Sequence, residues 1–298
     1  MADDPIPAPA LTPGHPLLRA DRRIMTTRAA LRALGRVAPG TTARIAEALF
    51  VKTARPTPRP DEAAWLATAE RFSVRAAGQT IAGYAWGSDG PTVVVAHGWW
   101  SHAGRFAPLA KALLAAGMRV VAYDAPGHGR STGWRATMPE FAATIRAVAD
   151  HHGPLHAVVG HSLGGAASIF ALARGLTASR AVIIAAPADI TSWAVRFRDT
   201  FDISDRIYAQ MQRNMERRLQ ISWHDLDIPI LARQLTQPAL IIHDEQDPDV
   251  PYAEGKLLAE AWHGSILHTT QQLGHRAILR DRAVIETVVD FLGGRGTP

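Results

Sequence analysis

The chain of 298 residues contains no cysteine. Disulfides, a thiolate nucleophile and a zinc site built on sulfur are therefore excluded. Long apolar runs are missing too. Residues 182–188 are among the longest, far below the ~18 residues needed to cross a bilayer. The first ten residues, MADDPIPAPA, put acids where a secretory leader carries positive charge, and no apolar core follows them. The expectation is a cytoplasmic protein without a membrane span. An excess of charge of one sign is lacking from most of the chain. The formal charge of +5 is more than accounted for by residues 1–60, where nine Arg and one Lys face four acids; the remaining 238 residues sum to −1. The basic character belongs to an N-terminal arm.

What is present is an apolar fraction of 47%, which excludes disorder across the whole chain. The length fits two domains of ~150 residues or one α/β unit of ~250. Residues 1–20, rich in Pro and Ala, predict a disordered or loosely held segment. Apolar residues and arginines recur at helical spacing over residues 22–34 and again over 41–51, after the breaker Pro39-Gly40. The run RPTPRP at 55–60 reads as a stiff linker, which sets a domain boundary near Asp61.

Beyond it, strands and helices alternate. Residues 72–75 and 80–86 read as a hairpin. Strands are expected at 92–96, 119–123, 155–159, 181–185, 239–243 and 265–270. Helices are expected at 105–116, 140–151, 163–174, 252–262 and 282–291. Continuous apolar strands separated by helices predict a mostly parallel, doubly wound α/β sheet covered on both faces. The alternation lapses only from about residue 189 to 233, which carries Trp, Phe and Met without strand runs and reads as a helical insertion. The expected organisation is an extension over 1–60 and one α/β domain over 61–298 that contains this small cap.

The strand at 155–159 runs into Gly160-His161-Ser162-Leu163-Gly164-Gly165 and straight into a helix. This is Gly-x-Ser-x-Gly in the strand–turn–helix setting that projects a serine hydroxyl from a strained turn. A serine needs a base to take its proton and a third group to hold that base. Among thirteen histidines, His275 follows the last strand and precedes the last helix, which puts it at the carboxyl edge of the sheet. His151, His152 and His156 cluster around a helix end. The loop after the strand at 239–243 offers Asp244, Glu245, Asp247 and Asp249 as candidate acids. Chain order Ser, acid, His suits this topology. For a developing oxyanion, two backbone N–H groups are expected: that of Leu163, after the serine, and that of Trp99 in His97-Gly98-Trp99-Trp100. The Trp99 and Trp100 rings and His161 are candidates to line a substrate pocket.

Together HGWW (97–100), YDAPGHGRS (123–131), GHSLGG (160–165), HDEQDPDVP (243–251) and GHRAIL (274–279) resemble the α/β-hydrolase fold family, over roughly residues 71–291. In that family the acid stands two residues before a Val-Pro pair, which implies Asp247. Members that carry the acid one strand earlier would instead use Asp189. Asp244 departs from the family, which usually has Gly there, and residues 1–60 have no counterpart in the minimal fold. Ser162 also separates the chain from dehalogenase and epoxide-hydrolase relatives, which have Asp at that position.

The resemblance implies acyl transfer by Ser162, His275 and Asp247 without cofactor or metal. The expected substrate is a small-molecule carboxylic or thio ester of small or medium acyl length. Trp193 and other aromatics of the insertion would line the acyl pocket or form the cap's own core. C–C bond hydrolysis, acyl transfer to another acceptor, and ligand binding with little turnover are the alternatives on the same triad. A peptidase is less favoured, since nothing marks an acidic pocket for a substrate amine. No nucleic-acid motif is present. Peripheral contact of the basic arm with lipid is the alternative to helices whose arginines are simply solvated.

Overall fold

The computed structural model describes residues 22–294. The Pro- and Ala-rich stretch at 1–20 lies outside the described residues. Contacts divide the chain into two units: residues to 50 together with 189–226, and residues 51–188 together with 227 onward.

The larger unit is built on one eight-stranded sheet. Its strands are β1 (Glu70–Ala76), β2 (Gln79–Trp86), β3 (Thr92–Ala96), β4 (Arg119–Tyr123), β5 (Leu155–His161), β6 (Ala178–Ile184), β7 (Ala239–Asp244) and β8 (Ser265–Thr270). They lie in the order β1-β2-β4-β3-β5-β6-β7-β8. The β1–β2 and β2–β4 pairs are antiparallel and every other pair is parallel. Val93, Val94, Val158, Val159, Val182 and Ile183 are fully buried, as the unbroken apolar runs of β3, β5 and β6 require of strands covered on both faces. The helices expected at 105–116, 140–151, 163–174, 252–262 and 282–291 appear as Ala107–Ala115, Met138–His152, Leu163–Ala173, Tyr252–Ala261 and Arg282–Leu292.

Residues 51–60 belong with this unit, ahead of the boundary expected at Asp61. The reason is hydrogen bonding. The Thr53 hydroxyl donates to the carbonyl of Gly127, and the Arg55 guanidinium donates to those of Gly129 and Gly133. The linker ends in a helix that the run of prolines concealed, Pro60–Ala67. Pro60 stands at its first position, where no N–H is needed, and Glu62 in its first turn accepts the Arg59 backbone N–H at 2.8 Å.

The smaller unit joins the two N-terminal helices, α1 (Arg22–Val37) and α2 (Pro39–Phe50), to two helices of the insertion, Ile190–Phe201 and Asp205–Leu219. Phe50 meets Phe197 at 5.2 Å between ring centres, Glu47 accepts from Arg218 at 3.0 Å, and Asp202 faces both Arg28 and Arg32. Phe197, Met211, Met215 and Trp223 are buried. Among the described residues no helix is long and apolar enough to cross a membrane.

Candidate active site

Ser162 sits between β5 and the helix Leu163–Ala173, with φ 54° and ψ −128°. A non-glycine residue held there stores roughly 1–3 kcal/mol of backbone strain, maintained by the crossing of strand and helix. The flanking glycines show why the turn admits no side chain. A Cβ on Gly160 would lie 2.6 Å from the carbonyl oxygen of Gly164, and one on Gly164 would strike the carbonyl oxygens of Ala96 and His97. The Ser162 N–H is anchored by the carbonyl of Ile184 at 2.9 Å.

The next N–H, that of Leu163, opens the helix and so has no intrahelical acceptor. The loop after β3 supplies the other expected donor. It passes so near the serine that a Cβ on Gly98 would lie 2.8 Å from that of Ser162. Trp100, at φ 49°, spends its backbone N–H on His128 Nε2 at 3.1 Å. Among the described residues the Trp99 N–H has no hydrogen-bond acceptor, so both expected donors remain open.

Two histidines fix this loop, a role that the sequence reading did not anticipate. His97 Nε2 accepts the N–H of Ala125 at 2.9 Å while its Nδ1–H donates to the carbonyl of Gly98 at 2.7 Å. His128 does the same between the N–H of Trp100 and the carbonyl of Pro126. Each ring accepts on one nitrogen and donates on the other, which only neutral imidazole can do. Burial pushes His97 down to about 4 and His128 down to about 3, so both stay neutral. Because the residues lie about thirty positions apart, only the motif GHG at 127–129 could have signalled them.

His275 is buried, and its Nδ1 lies 2.8 Å from Asp247 Oδ2. Of the four candidate acids, Asp247 is the one joined to it. Burial works to raise the Asp247 pKa, but His243, His275 and the Val250 N–H outweigh it and hold the carboxyl well below the usual range. Its other oxygen accepts the N–H groups of Asp249 and Val250 at 2.8 and 2.9 Å. Asp189, the alternative acid, instead caps the helix Ile190–Phe201 by accepting the N–H groups of Thr191 and Ser192.

The remaining candidates divide. His161 is buried, and its Nε2–H donates to the His275 carbonyl at 2.8 Å with the two rings 4.7 Å apart. It therefore holds the backbone of His275, a position other than the pocket wall expected from the sequence. The Trp99 ring stacks on Phe141 at 6.1 Å and meets His128 edge-on. Trp100 is 45% exposed, with its indole N–H directed at the Lys52 carbonyl. Trp193 belongs to the smaller unit, half-buried beneath the Arg196 guanidinium at 5.1 Å.

Known proteins resemble this chain in sequence and in fold. A family model described as serine aminopeptidase matches residues 88–226, and one described as TAP-like protein matches residues 225–298. Monoglyceride lipase of Rattus norvegicus is 33% identical over 109 residues, covering 34% of this chain and 36% of the lipase. The chain thus spans about a third of the length of that curated relative. Pimeloyl-(acyl-carrier protein) methyl ester esterase of Chromobacterium violaceum is 28% identical over 64% of this chain and 89% of its own. A solved esterase of Pyrococcus furiosus superposes with a TM-score of 0.62 at 17% identity, over 80% of this chain and 98% of the esterase, a likeness of fold. With the eight-stranded sheet, the strained Ser162 turn and both family models in agreement, the chain belongs to the α/β-hydrolase family.

Proposed function

We propose that this protein is a serine hydrolase that cleaves carboxylic or thio esters of a small or medium acyl group through an acyl-enzyme. The observation that carries the reading is the 2.8 Å bond between His275 Nδ1 and the buried, ionised Asp247, together with a serine held at φ 54° directly after His161, whose ring lies 4.7 Å from that of His275. Asp247 fixes the His275 tautomer that leaves Nε2 free to accept a proton. Ser162 Oγ then attacks the acyl carbon as its proton passes to His275. The oxyanion is met by the N–H groups of Leu163 and Trp99, and His275 returns the proton to the leaving alcohol or thiol. Water repeats the sequence and frees the acid.

Ester chemistry is favoured over amide chemistry because the named relatives include a monoglyceride lipase and a methyl ester esterase. The family model described as serine aminopeptidase supports a second reading, a peptidase. A fluorophosphonate probe should label the protein and fail to label Ser162→Ala; a wild-type protein that never labels overturns both readings. p-Nitrophenyl esters of graded chain length and aminoacyl p-nitroanilides then separate them. Faster release from anilides than from any ester would favour the peptidase.

A further inference from the structure

We propose that Asp244 is a positioning residue for the Asp247–His275 pair, an inference that rests on the hydrolase reading above. Asp244 ends β7 and is fully buried, yet it carries a carboxylate where the family usually has glycine. Oδ1 accepts the N–H of Gln246 at 3.0 Å, on the loop that leads to Asp247. Oδ2 accepts the Thr270 hydroxyl at 2.9 Å and the Leu273 N–H at 3.0 Å, on the loop that leads to His275. These partners are all neutral. Burial tends to raise the Asp244 pKa, but the bonds from Leu273, Thr270 and Gln246 prevail and hold it below the ordinary value. The group is an anion, and it is spent on backbone geometry.

That geometry needs fixing. Between β8 and His275 the chain turns through two left-handed residues, Gln272 at φ 62° and Gly274 at φ 61°. The conformation is uphill for glutamine. Other ties across the two loops are the Glu245 N–H to the Thr270 carbonyl, the Gln271 side-chain amide to Glu245 Oε2 at 2.9 Å, the Gln272 N–H to Gln246 Oε1 at 2.7 Å, and the Arg276–Asp249 ion pair at 4.0 Å. Asp247 itself donates its N–H to the Asp244 carbonyl at 3.2 Å. Among the described residues Asp244 is the one side chain that bonds to the backbone of both loops, and the 2.8 Å separation of His275 Nδ1 and Asp247 rests in part on it.

The decisive variant is Asp244→Asn. Its amide keeps the shape, but the nitrogen cannot accept, so one loop or the other loses its anchor. With the active sites counted by fluorophosphonate labelling, kcat on a p-nitrophenyl ester should fall about 10- to 100-fold, with KM nearly unchanged. The His275 Nδ1 proton, assigned by its loss in Asp247→Asn, should shift or broaden in the NMR spectrum. Thr270→Val removes a single donor, keeps the charge, and should lower kcat by about threefold; it decides the matter if Asp244→Asn does not fold. Wild-type kcat per labelled site together with an unmoved resonance would overturn the proposal and leave the hydrolase reading standing. A wild-type protein that never labels would sink that reading, while the resonance would still decide for or against Asp244.

Discussion

Lowering the pH should unfold this protein well before its carboxylates titrate, because three buried histidines must stay neutral. His97, His128 and His161 are pushed down to about 4, 3 and 3, in each case chiefly by burial. In the unfolded chain an imidazole titrates near ~6.5. The unfolded state therefore takes up protons first, so the stability these groups contribute is complete above that value and drains away as the pH falls toward their folded values. Each costs roughly 1.6 kcal/mol between pH 6.5 and 5, about 5 kcal/mol in all. Domains of ordinary stability hold only about 5–15 kcal/mol. His152, also pushed down to about 4, is only partly buried and adds at most a fraction. Asp247 and Asp244 have lowered pKa values, so their contribution is lost only below the unfolded carboxylate value near ~3.8, outside this window.

The assay is urea unfolding followed by tryptophan fluorescence at a series of pH values from about 5 to 7.5. Near pH 5.5 the unfolding free energy should change by about 4 kcal/mol per pH unit, the signature of roughly three protons. His128→Asn, which keeps a side-chain acceptor and donor, should lower that slope by about one proton. A slope worth fewer than about two protons would refute the assignment of all three rings as buried and neutral.

Other substitutions test separate parts of the structure. In Gly98→Ala the new Cβ would lie 2.8 Å from the Ser162 Cβ and 3.3 Å from its Oγ, so ester turnover should fall about 100-fold or more, with about 1–3 kcal/mol lost in stability as the loop shifts; kinetics per labelled site would show it, and near-normal turnover would remove the loop from the oxyanion role. Glu62 is buried among Arg59, Arg105 and Arg280 at 3.0, 3.4 and 3.7 Å. Glu62→Gln leaves those partly exposed charges facing a neutral amide and should cost about 1–2 kcal/mol in urea titration; no measurable loss would mean that the cluster contributes nothing to stability. Phe50→Ala deletes a ring that packs on Phe197. It should speed hydrogen exchange across residues 190–219 while the sheet stays protected, and uniform exchange throughout would argue against a separately cooperative helical unit.

The sheet was legible because each buried strand announces itself locally. Five β-branched or small residues between breakers suffice for Thr92–Ala96, and the glycines around Ser162 are demanded by contacts within one turn. Whatever depends on distant segments meeting was not legible. Helix Pro60–Ala67 did carry a start signal, Pro at its first position and Glu62 two residues later, but the prolines before it argued for a linker. The grouping of α1 and α2 with the insertion rests on pairs such as Glu47 with Arg218 and Arg28 with Asp202, about 170 residues apart, with no local pattern to betray them. Asp244 lies between these cases. Its identity marked it as an extra charge, but only the folded loops show that its oxygens face backbone donors on the segments leading to Asp247 and His275. A buried charge bonded wholly to neutral donors gains no Coulombic partner to offset its desolvation. What it gains is direction, since each lone pair fixes one donor in place. That is the property a hydrolase needs where two loops must present an acid and a base at hydrogen-bonding distance.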